Sequence, residues 1–503
     1  MSDALPGASD PQLHDDASPE ALAKPESLTA HRALSHRGDD GLWSPGRRPL
    51  TLGLVLTITL VAAEALAVST AMPIVAADLG GLELYGLVFS AFLVGSLVGI
   101  VIAGSIIDRR GVVLPFLLGL VLFAVGLALG GSAVSMPMLI GARLIQGIGG
   151  GAIPPIAYVA IGRSLPEQLR PQMFATLSTA WILPGIFGPA IAGIVAQELH
   201  WRLIFFGLLP VLVVSGWLAY RGLRQLAHEP PTEQKAGATG ARIRDGLIVG
   251  FGVAVLTAGL ASDNLAIEAV AGAAGLAITM WAFVRLVPPG TLRAERGYPT
   301  AVLLRGLLTF AFFSVDAYVA LLLVEVRGWS AAAAGIALTA ATVSWTAGSW
   351  TQARLSRRFT HEWFVRMGFP VVAAGIAGLG LILLPDVPAW LSVPIFALAG
   401  FGMGLTYAQF ALIVLRDVPR QSQGTITAGL TLSDSLGTAL GTSVAAAFVS
   451  AAVRAGAGPA PGLAAAIGVG TAAAILGWLL SPRLHAEDAA SRLAGAEAGA
   501  RLR

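Results

Sequence analysis

The sequence contains no cysteine, and only 12% of its 503 residues are charged. The missing cysteines exclude disulfides, thiolate catalysis and cysteine-ligated metal sites. Soluble domains carry about 25% charged residues, so a chain with 55% hydrophobic residues has too little charge to cover a soluble surface. A net charge of only +3 gives no electrostatic footprint for binding nucleic acid. The composition therefore predicts an integral membrane protein.

Motifs for enzymatic chemistry are also missing. Neither lysine, Lys24 or Lys235, follows the glycine pattern of a phosphate loop, and the H-E-x-x-H and G-x-S-x-G motifs are absent. We therefore expect neither an enzyme nor a nucleotide-driven pump, and no cofactor or metal. A purely structural role is also disfavoured, because charged side chains inside apolar runs are costly in a membrane.

Apolar runs of membrane-crossing length recur along the chain. A crossing helix needs about 20 mostly apolar residues. Windows of that length predict fourteen transmembrane helices, near residues 51–73, 83–107, 112–132, 136–161, 172–197, 202–221, 245–262, 265–287, 300–324, 331–353, 363–384, 388–415, 424–453 and 461–481. The predicted fold is an all-α membrane protein with two six-helix bundles and two inserted helices between them.

The charge distribution predicts the orientation and the boundaries. Arginines concentrate on one side, and the other side holds only Arg202, Arg327 and Arg454. Since cytoplasmic loops carry the excess of positive charge, both termini are predicted to be cytoplasmic. The predicted parts are a disordered tail (1–48), an N-terminal bundle (49–222), a linker (223–244), two inserted helices (245–287), a C-terminal bundle (297–482) and a second tail (483–503).

Two motifs occur once in each predicted bundle. The turn Gly104–Gly111, with Asp108, Arg109 and Arg110, has a partial counterpart at 348–358, which lacks an acid. The glycines after Gln146, which include Gly147 and Gly149, are matched by a glycine run at 400–404. Repeated halves are typical of secondary transporters.

Two charged residues lie inside the predicted spans of the first bundle. Glu64 is the only charge in its span, and Arg143 lies at a similar depth in the fourth span. An acid inside a membrane is a functional hypothesis by default, so we expect Glu64 to take up and release a proton, with Arg143 modulating its proton affinity. The alternative is a static buried ion pair that joins two helices.

The second bundle carries two further intramembrane acids. Asp316 lies past the middle of the ninth span and Asp434 near the middle of the thirteenth. Each is a candidate for a second protonation site or for a contact with a cationic substrate, and the alternative is a polar contact satisfied by nearby hydroxyls. Arg305 enters the ninth span from the cytoplasmic side and is expected to snorkel towards water.

The fifth span is rich in glycine and proline. Small residues let helices approach closely, and proline interrupts the hydrogen-bond ladder of a helix. We therefore expect a kinked, closely packed helix that serves as a hinge, with ordinary small-residue packing as the alternative. The residues concerned are Pro184, Gly185, Gly188, Pro189 and Gly193.

Five motifs in order resemble the major facilitator superfamily, and within it the fourteen-helix drug:proton antiporters. The resemblance covers residues 49–482. The motifs are Glu64 through Ala71-Met72-Pro73, Gly104-x-x-x-Asp108-Arg109-x-Gly111, Arg143-x-x-Gln146-Gly147-x-Gly149, Gly185-x-x-Gly188-Pro189-x-x-x-Gly193 and His200-Trp201-Arg202-x-x-Phe205. The resemblance implies a central cavity, alternating access and export driven by proton entry. It also implies that Asp108 helps to lock a cytoplasmic gate and that Arg143 belongs to the proton relay.

The expected cargo is a lipophilic or cationic small molecule, exchanged for protons across a bacterial cell membrane by a monomer surrounded by lipid. Export of an endogenous lipid or of a self-made antibiotic fits the same residues. Uptake of a nutrient is a further alternative, although it would call for more polar side chains in the spans, and the motif in the fifth span resembles that of exporters.

Overall fold

The computed structural model describes residues 41–81, 84–224, 236–260 and 264–485, which form fourteen helical segments joined by short connections. The predicted tails, 1–48 and 483–503, lie largely outside these residues, and so does the middle of the predicted linker 223–244, at 225–235. The segments are α1 (Arg48–Leu79), α2 (Tyr85–Arg110), α3 (Val113–Gly131), α4 (Met136–Ser164), α5 (Glu167–His200), α6 (Arg202–Leu223), α7 (Ala236–Leu260), α8 (Leu265–Leu286), α9 (Tyr298–Val326), α10 (Ala331–Leu355), α11 (His361–Leu383), α12 (Ala389–Asp417), α13 (Arg420–Arg454) and α14 (Ala460–Leu484).

Over the described residues, twelve of these segments are long and apolar enough to cross a membrane. The helix α7 begins at Ala236 rather than at the predicted 245, so its first turns include Arg242, Arg244 and Asp245. A helix satisfies its backbone hydrogen bonds internally and can continue past the apolar layer, so hydropathy alone does not locate its first residue.

The packing of α1 to α6 recurs in α9 to α14. The helix α1 packs against α5 and α6, α2 against α4, and α3 against α4 and α6. In the same way α9 packs against α13 and α14, α10 against α12, and α11 against α12 and α14. The two sets meet where α2 contacts α13 and where α5 contacts α10, and α7 packs against α8 and α2.

The segment α5 is interrupted, as its prolines predicted. It consists of an α-helix over Arg170–Thr179, a second over Ile182–Ile194 and a π-helical stretch over Val195–His200. The interruption at 180–181 precedes Pro184, which has no backbone N–H to donate to residue 180. The second helix exposes apolar side chains, among them Leu183 and Ile191.

Candidate transport site

A buried ion pair joins α1 to α4. Glu64 is 0% exposed and Arg143 is 3% exposed, and the Arg143 guanidinium donates a hydrogen bond to Glu64 Oε1. Arg143 also donates to Gln146 Oε1 at 2.8 Å, and its guanidinium carbon lies 4.3 Å from the centre of the Phe92 ring. The two charges that the sequence placed at similar depth are therefore in direct contact.

The Glu64 carboxylate is only half satisfied. Its Oε1 accepts from Arg143, whereas Oε2 is buried and has no hydrogen-bond partner among the described residues. An ionised group inside a membrane costs about 2.5–3.5 kcal/mol even on insertion scales, and its ion pair with Arg143 offsets part of that cost. The free oxygen leaves this carboxylate with a position at which a proton can bind.

Glycines on α4 bring the helix close enough to its neighbours to hold Arg143 in place. A Cβ atom on Gly147 would lie 2.2 Å from the Phe92 carbonyl oxygen of α2. A Cβ atom on Gly149 would lie 2.4 Å from the Gly119 carbonyl oxygen of α3. Both positions therefore require glycine, because backbone atoms cannot give way as a flexible side chain does.

Replacing Gly147 with alanine is expected to destabilise the protein, since the added methyl group meets backbone on α2. Overpacking of this kind costs about 1–3 kcal/mol, so the thermal unfolding midpoint in detergent should fall by several degrees. Gly141→Ala on the same helix is the control, because a Cβ atom there meets nothing within 4 Å. Equal midpoints for the two variants would contradict the packing assigned to α4.

A second buried ion pair joins α9 to α13. Arg305 Nε donates to Asp434 Oδ1 at 2.9 Å, and the Tyr407 hydroxyl donates to Asp434 Oδ2 at 3.0 Å. Arg305 is 1% exposed and Asp434 is 18% exposed. The expectation that Arg305 snorkels towards water is therefore wrong, because its guanidinium is buried against Asp434. Asp434 is satisfied by an arginine and a tyrosine rather than by nearby serine and threonine hydroxyls.

Asp316 differs from the other intramembrane acids in its surroundings. It is partly exposed on α9, and among the described residues it has no hydrogen-bond or ion-pair partner. Its neighbours on the same face of the helix are Phe313 and Ala320, which are also not fully buried. The structure therefore does not bring Asp316 together with Glu64, Arg143 or Asp434.

The last turns of α2, which carry Gly104 and Asp108, contact the start of α13. Asp108 is 4% exposed, and its carboxylate accepts from the backbone N–H groups of Gly424 at 2.6 Å and Thr425 at 2.8 Å. These N–H groups belong to the first turn of a helix, where the dipole favours negative charge. A Cβ atom on Gly104 would lie 2.4 Å from Ala428 Cβ, so this glycine permits the approach of the two helices.

Gly111, which follows α2, is required for a different reason, namely its backbone conformation. Gly111 has a φ of +73°, a conformation that other residues rarely adopt. Arg109 is partly buried at the end of α2, while Arg110 is exposed. The chain therefore reverses within a few residues and begins α3 at Val113.

Other contacts between α1–α6 and α9–α14 lie towards the same end of the molecule. The Arg163 guanidinium donates to the Arg420 carbonyl oxygen at 2.9 Å. The Ser178 and Ser349 hydroxyls are 3.0 Å apart, and the Trp350 indole donates to the Thr179 hydroxyl at 3.0 Å. Residues of α2, α4 and α5 therefore meet α10 and α13 at the end that bears the turn Gly104–Gly111.

The glycines of α5 are not closely packed, contrary to the expectation from the sequence. A Cβ atom would lie 4.0 Å from the nearest atom at Gly185, 3.8 Å at Gly188 and 3.9 Å at Gly193, all ordinary van der Waals distances. Pro189 is exposed within the helix, whereas Pro184 is buried. In this conformation the segment after the interruption is loosely held, with Gly185 facing Thr342 of α10.

Sequence reasoning missed one contributor to the second ion pair. The Tyr158 hydroxyl of α4 lies 3.3 Å from Arg305 Nη2, although the two residues are far apart in the sequence. A tyrosine inside an apolar span gives no signal of its own, because its ring is ordinary core material. A search for hydroxyl groups at the depth of a buried arginine would have raised it as a candidate.

Two sets of six helices with the same packing, each holding a buried ion pair, are typical of secondary transporters. Residues 53–442 match the sequence model of the Major Facilitator Superfamily. The chain belongs to this family.

Curated relatives agree with that assignment. The chain is 28% identical over 403 residues to "Multidrug resistance protein 3" of Bacillus subtilis, an alignment that covers 77% of each chain. It is 26% identical to "Multidrug transporter protein MdtP" of the same organism, over 78% of this chain and 73% of the relative. It is also 26% identical to the "Probable multidrug-efflux transporter Rv1634" of Mycobacterium tuberculosis, over 71% and 78%.

Solved structures share the fold. The human organic anion transporter MFSD10 superimposes with a TM-score of 0.65 at 14% identity, over 87% of this chain and 99% of the other. The proton:xylose symporter XylE superimposes with a TM-score of 0.60 at 14% identity, over 86% and 95%. At these identities the likeness concerns the fold alone.

Proposed function

We propose that the protein is a proton-coupled exporter of lipophilic or cationic drug-like compounds in a bacterial cell membrane. The observation that carries the proposal is the buried Glu64–Arg143 ion pair, with a free carboxylate oxygen, in a chain related to multidrug transporters. A proton and a cationic compound can compete for the buried Glu64 carboxylate. Such competition is the simplest basis for exchanging one for the other.

The proposed organisation is six, two and six helices with both termini in the cytoplasm. The bundles are residues 49–222 and 297–482, and the inserted pair is 245–287. The recurrence of the α1–α6 contacts in α9–α14 supports this division. The packing of α7 against both α8 and α2 supports an inserted pair at the edge of the first bundle.

The proposed cycle alternates access between the two ends of the bundles. The contacts of Asp108 with Gly424 and Thr425 close the end that bears the turn Gly104–Gly111, which we assign to the cytoplasm. Protonation of Glu64 from the opposite side removes its charge and weakens its hold on Arg143. The bundles then rock, the cytoplasmic end opens, and the proton is released as cargo binds.

The other sequence candidates take defined places in this cycle. Asp316 is proposed as a second group that binds a proton or a cation, because its carboxylate has no hydrogen-bond or ion-pair partner within the described part of the chain. The loosely packed glycines of α5 are proposed to become closely packed against α1 and α10 when the outer end closes. Gly185, Gly188 and Gly193 would then form the hinge surface.

A susceptibility panel tests the cargo class. Expression in a host that lacks its own pumps is expected to raise the tolerated concentration of several lipophilic cations, and the Glu64→Gln variant is expected to restore sensitivity. A change confined to one lipid or to one antibiotic would favour the alternative exporters. Growth on a nutrient that the host cannot otherwise import would instead indicate uptake.

Single cysteines in this cysteine-free chain test the topology. Gln421 and Ala457 lie near opposite ends of α13 and are both exposed. We expect an impermeant maleimide to label Ala457→Cys on intact cells and to label Gln421→Cys only after the membrane is opened. The reverse pattern would contradict the assignment of the turn Gly104–Gly111 to the cytoplasm.

A further inference from the structure

Arg305 is a buried cation with partners in both proposed bundles. Its Nε donates to Asp434 of α13, and its Nη1 donates to the backbone carbonyl oxygen of Tyr407 in α12. Its Nη2 lies 3.3 Å from the Tyr158 hydroxyl oxygen of α4. Tyr158 belongs to the first bundle and the other partners to the second, so one guanidinium spans the boundary between them.

The part of this network within the second bundle is rigidly built. A Cβ atom on Gly437 would lie 2.2 Å from the Gly306 carbonyl oxygen, so α9 and α13 touch backbone to backbone beside the ion pair. The Thr309 hydroxyl also donates to the Asp434 carbonyl oxygen at 3.0 Å. Arg305 and Asp434 are therefore expected to move together when the bundles move.

The contact between Arg305 and Tyr158 is the part of this network that can separate when the bundles move. The Tyr158 ring packs edge-on against Phe174, with centroids 5.2 Å apart, so the first bundle holds this ring independently of Arg305. At about 1.5 Å rise per residue, Tyr158 lies roughly 7–8 Å deeper along α4 than Arg163, whose guanidinium contacts the Arg420 carbonyl oxygen. The Tyr158–Arg305 contact is therefore on the same side as the proposed gate and further inside it.

We infer that Tyr158, Arg305 and Asp434 form a latch in which the ionised Asp434 carboxylate holds Arg305 against Tyr158 and keeps the two bundles together at the cytoplasmic end. This inference rests on the proposed alternating-access function. It makes Tyr158 and Arg305 positioning residues, since neither has to touch the cargo.

Protonation of Asp434 releases the latch. The charged and titratable groups that face this network are Arg305 from α9, Tyr407 from α12 and Tyr158 from α4. When the carboxylate gains a proton it loses its charge and its ion pair with Arg305. The guanidinium is then free to rotate away from Tyr158. A proton that enters from outside thus favours opening towards the cytoplasm, which is the direction that proton-driven export requires.

Distance measurements between spin labels test the latch without any cargo. Labels on Gln168→Cys and Gln421→Cys report the proposed gate, because both positions are exposed, uncharged and near opposite sides of the boundary between the bundles. The full-length protein in lipid nanodiscs is measured at about pH 8 and pH 5. The labelled protein with no further substitution is expected to give mainly the short distance at high pH, and a larger long-distance population at low pH, where the intramembrane acids that include Glu64 bind protons.

Three substitutions then separate the latch from general packing. Tyr158→Phe keeps the ring and removes the hydroxyl, and it should raise the long-distance population at high pH about tenfold. Asp434→Asn should do the same at high pH, because it removes the charge that holds Arg305, and the double variant should not exceed Asp434→Asn. Tyr318→Phe is the control, since its hydroxyl bonds within the second bundle, to the Thr442 carbonyl oxygen at 3.4 Å.

The latch is overturned if either Tyr158→Phe or Asp434→Asn keeps the distance distribution that the labelled protein shows at high pH without these substitutions, or if the effects of the two substitutions add. It is equally overturned if Tyr318→Phe shifts the distribution as much as Tyr158→Phe. These outcomes differ from a failure of the proposed function. A protein that exports nothing can still show the pH-dependent distance change, and a protein that exports normally can lack it.

Discussion

Glu64→Gln is expected to abolish the acceleration of export by a proton gradient. Glutamine keeps the size of the side chain and a hydrogen-bond acceptor for Arg143, but it cannot take up and release a proton. In proteoliposomes, the flux of a lipophilic cation with an imposed pH gradient should fall to the flux measured without one. The effect should be complete, because Asp316 and Asp434 lie away from Arg143 and neither can replace the Glu64 carboxylate beside it.

The control for this experiment is Glu325→Gln, which removes a carboxylate from an exposed position at the end of α9. Its flux should respond to the pH gradient as the unsubstituted protein does. The amount of each variant in the membrane must also be measured, since removing one partner of a buried ion pair costs about 3–5 kcal/mol. Gradient-driven flux in a well-inserted Glu64→Gln variant would contradict the coupling role.

Asp108→Asn is expected to open the proposed gate and slow transport while cargo still binds. Hydrogen bonds to a charged group contribute about 1.5–3 kcal/mol, so losing the carboxylate that caps Gly424 and Thr425 should favour the open end by about 10- to 100-fold. The distance between labels at Gln168→Cys and Gln421→Cys should lengthen accordingly. Turnover should fall, because the return to the closed state becomes the slow step.

Asp386→Asn supplies the matched control, since Asp386 is exposed in the connection that follows α11. It should change neither the label distance nor the rate. If Asp108→Asn leaves both unchanged as well, the contact with α13 is not a gate. If it abolishes cargo binding, Asp108 belongs to the binding site instead.

The membrane class of the protein and most of its helices could be predicted from hydropathy, because a membrane span must be apolar over about 20 residues. The pairing of Glu64 with Arg143 could be predicted for a related reason. An isolated charge is costly at that depth, so two opposite charges at equal depth on neighbouring helices are expected to meet. Both predictions need only the local sequence and the depth of each charged residue in the membrane.

The remaining details depend on tertiary structure. Arg305 lies near the start of a span, where snorkelling is usual, and only the position of Asp434 on α13 explains its burial. The α5 glycines have the spacing of a closely packed helix face, yet no neighbouring helix packs closely against them in this conformation. The two cases share a cause, because a sequence records which helices can approach but not which are in contact in a given state.

The most direct test of proton-coupled export is the movement of protons driven by cargo alone. Purified protein is placed in liposomes that contain a pH-sensitive dye, with no initial pH gradient, and a gradient of a lipophilic cation is imposed. Proton-coupled export predicts that protons flow against the direction of the compound in liposomes with the protein and not in protein-free liposomes. Protein-dependent movement of the compound with no change in internal pH would contradict it.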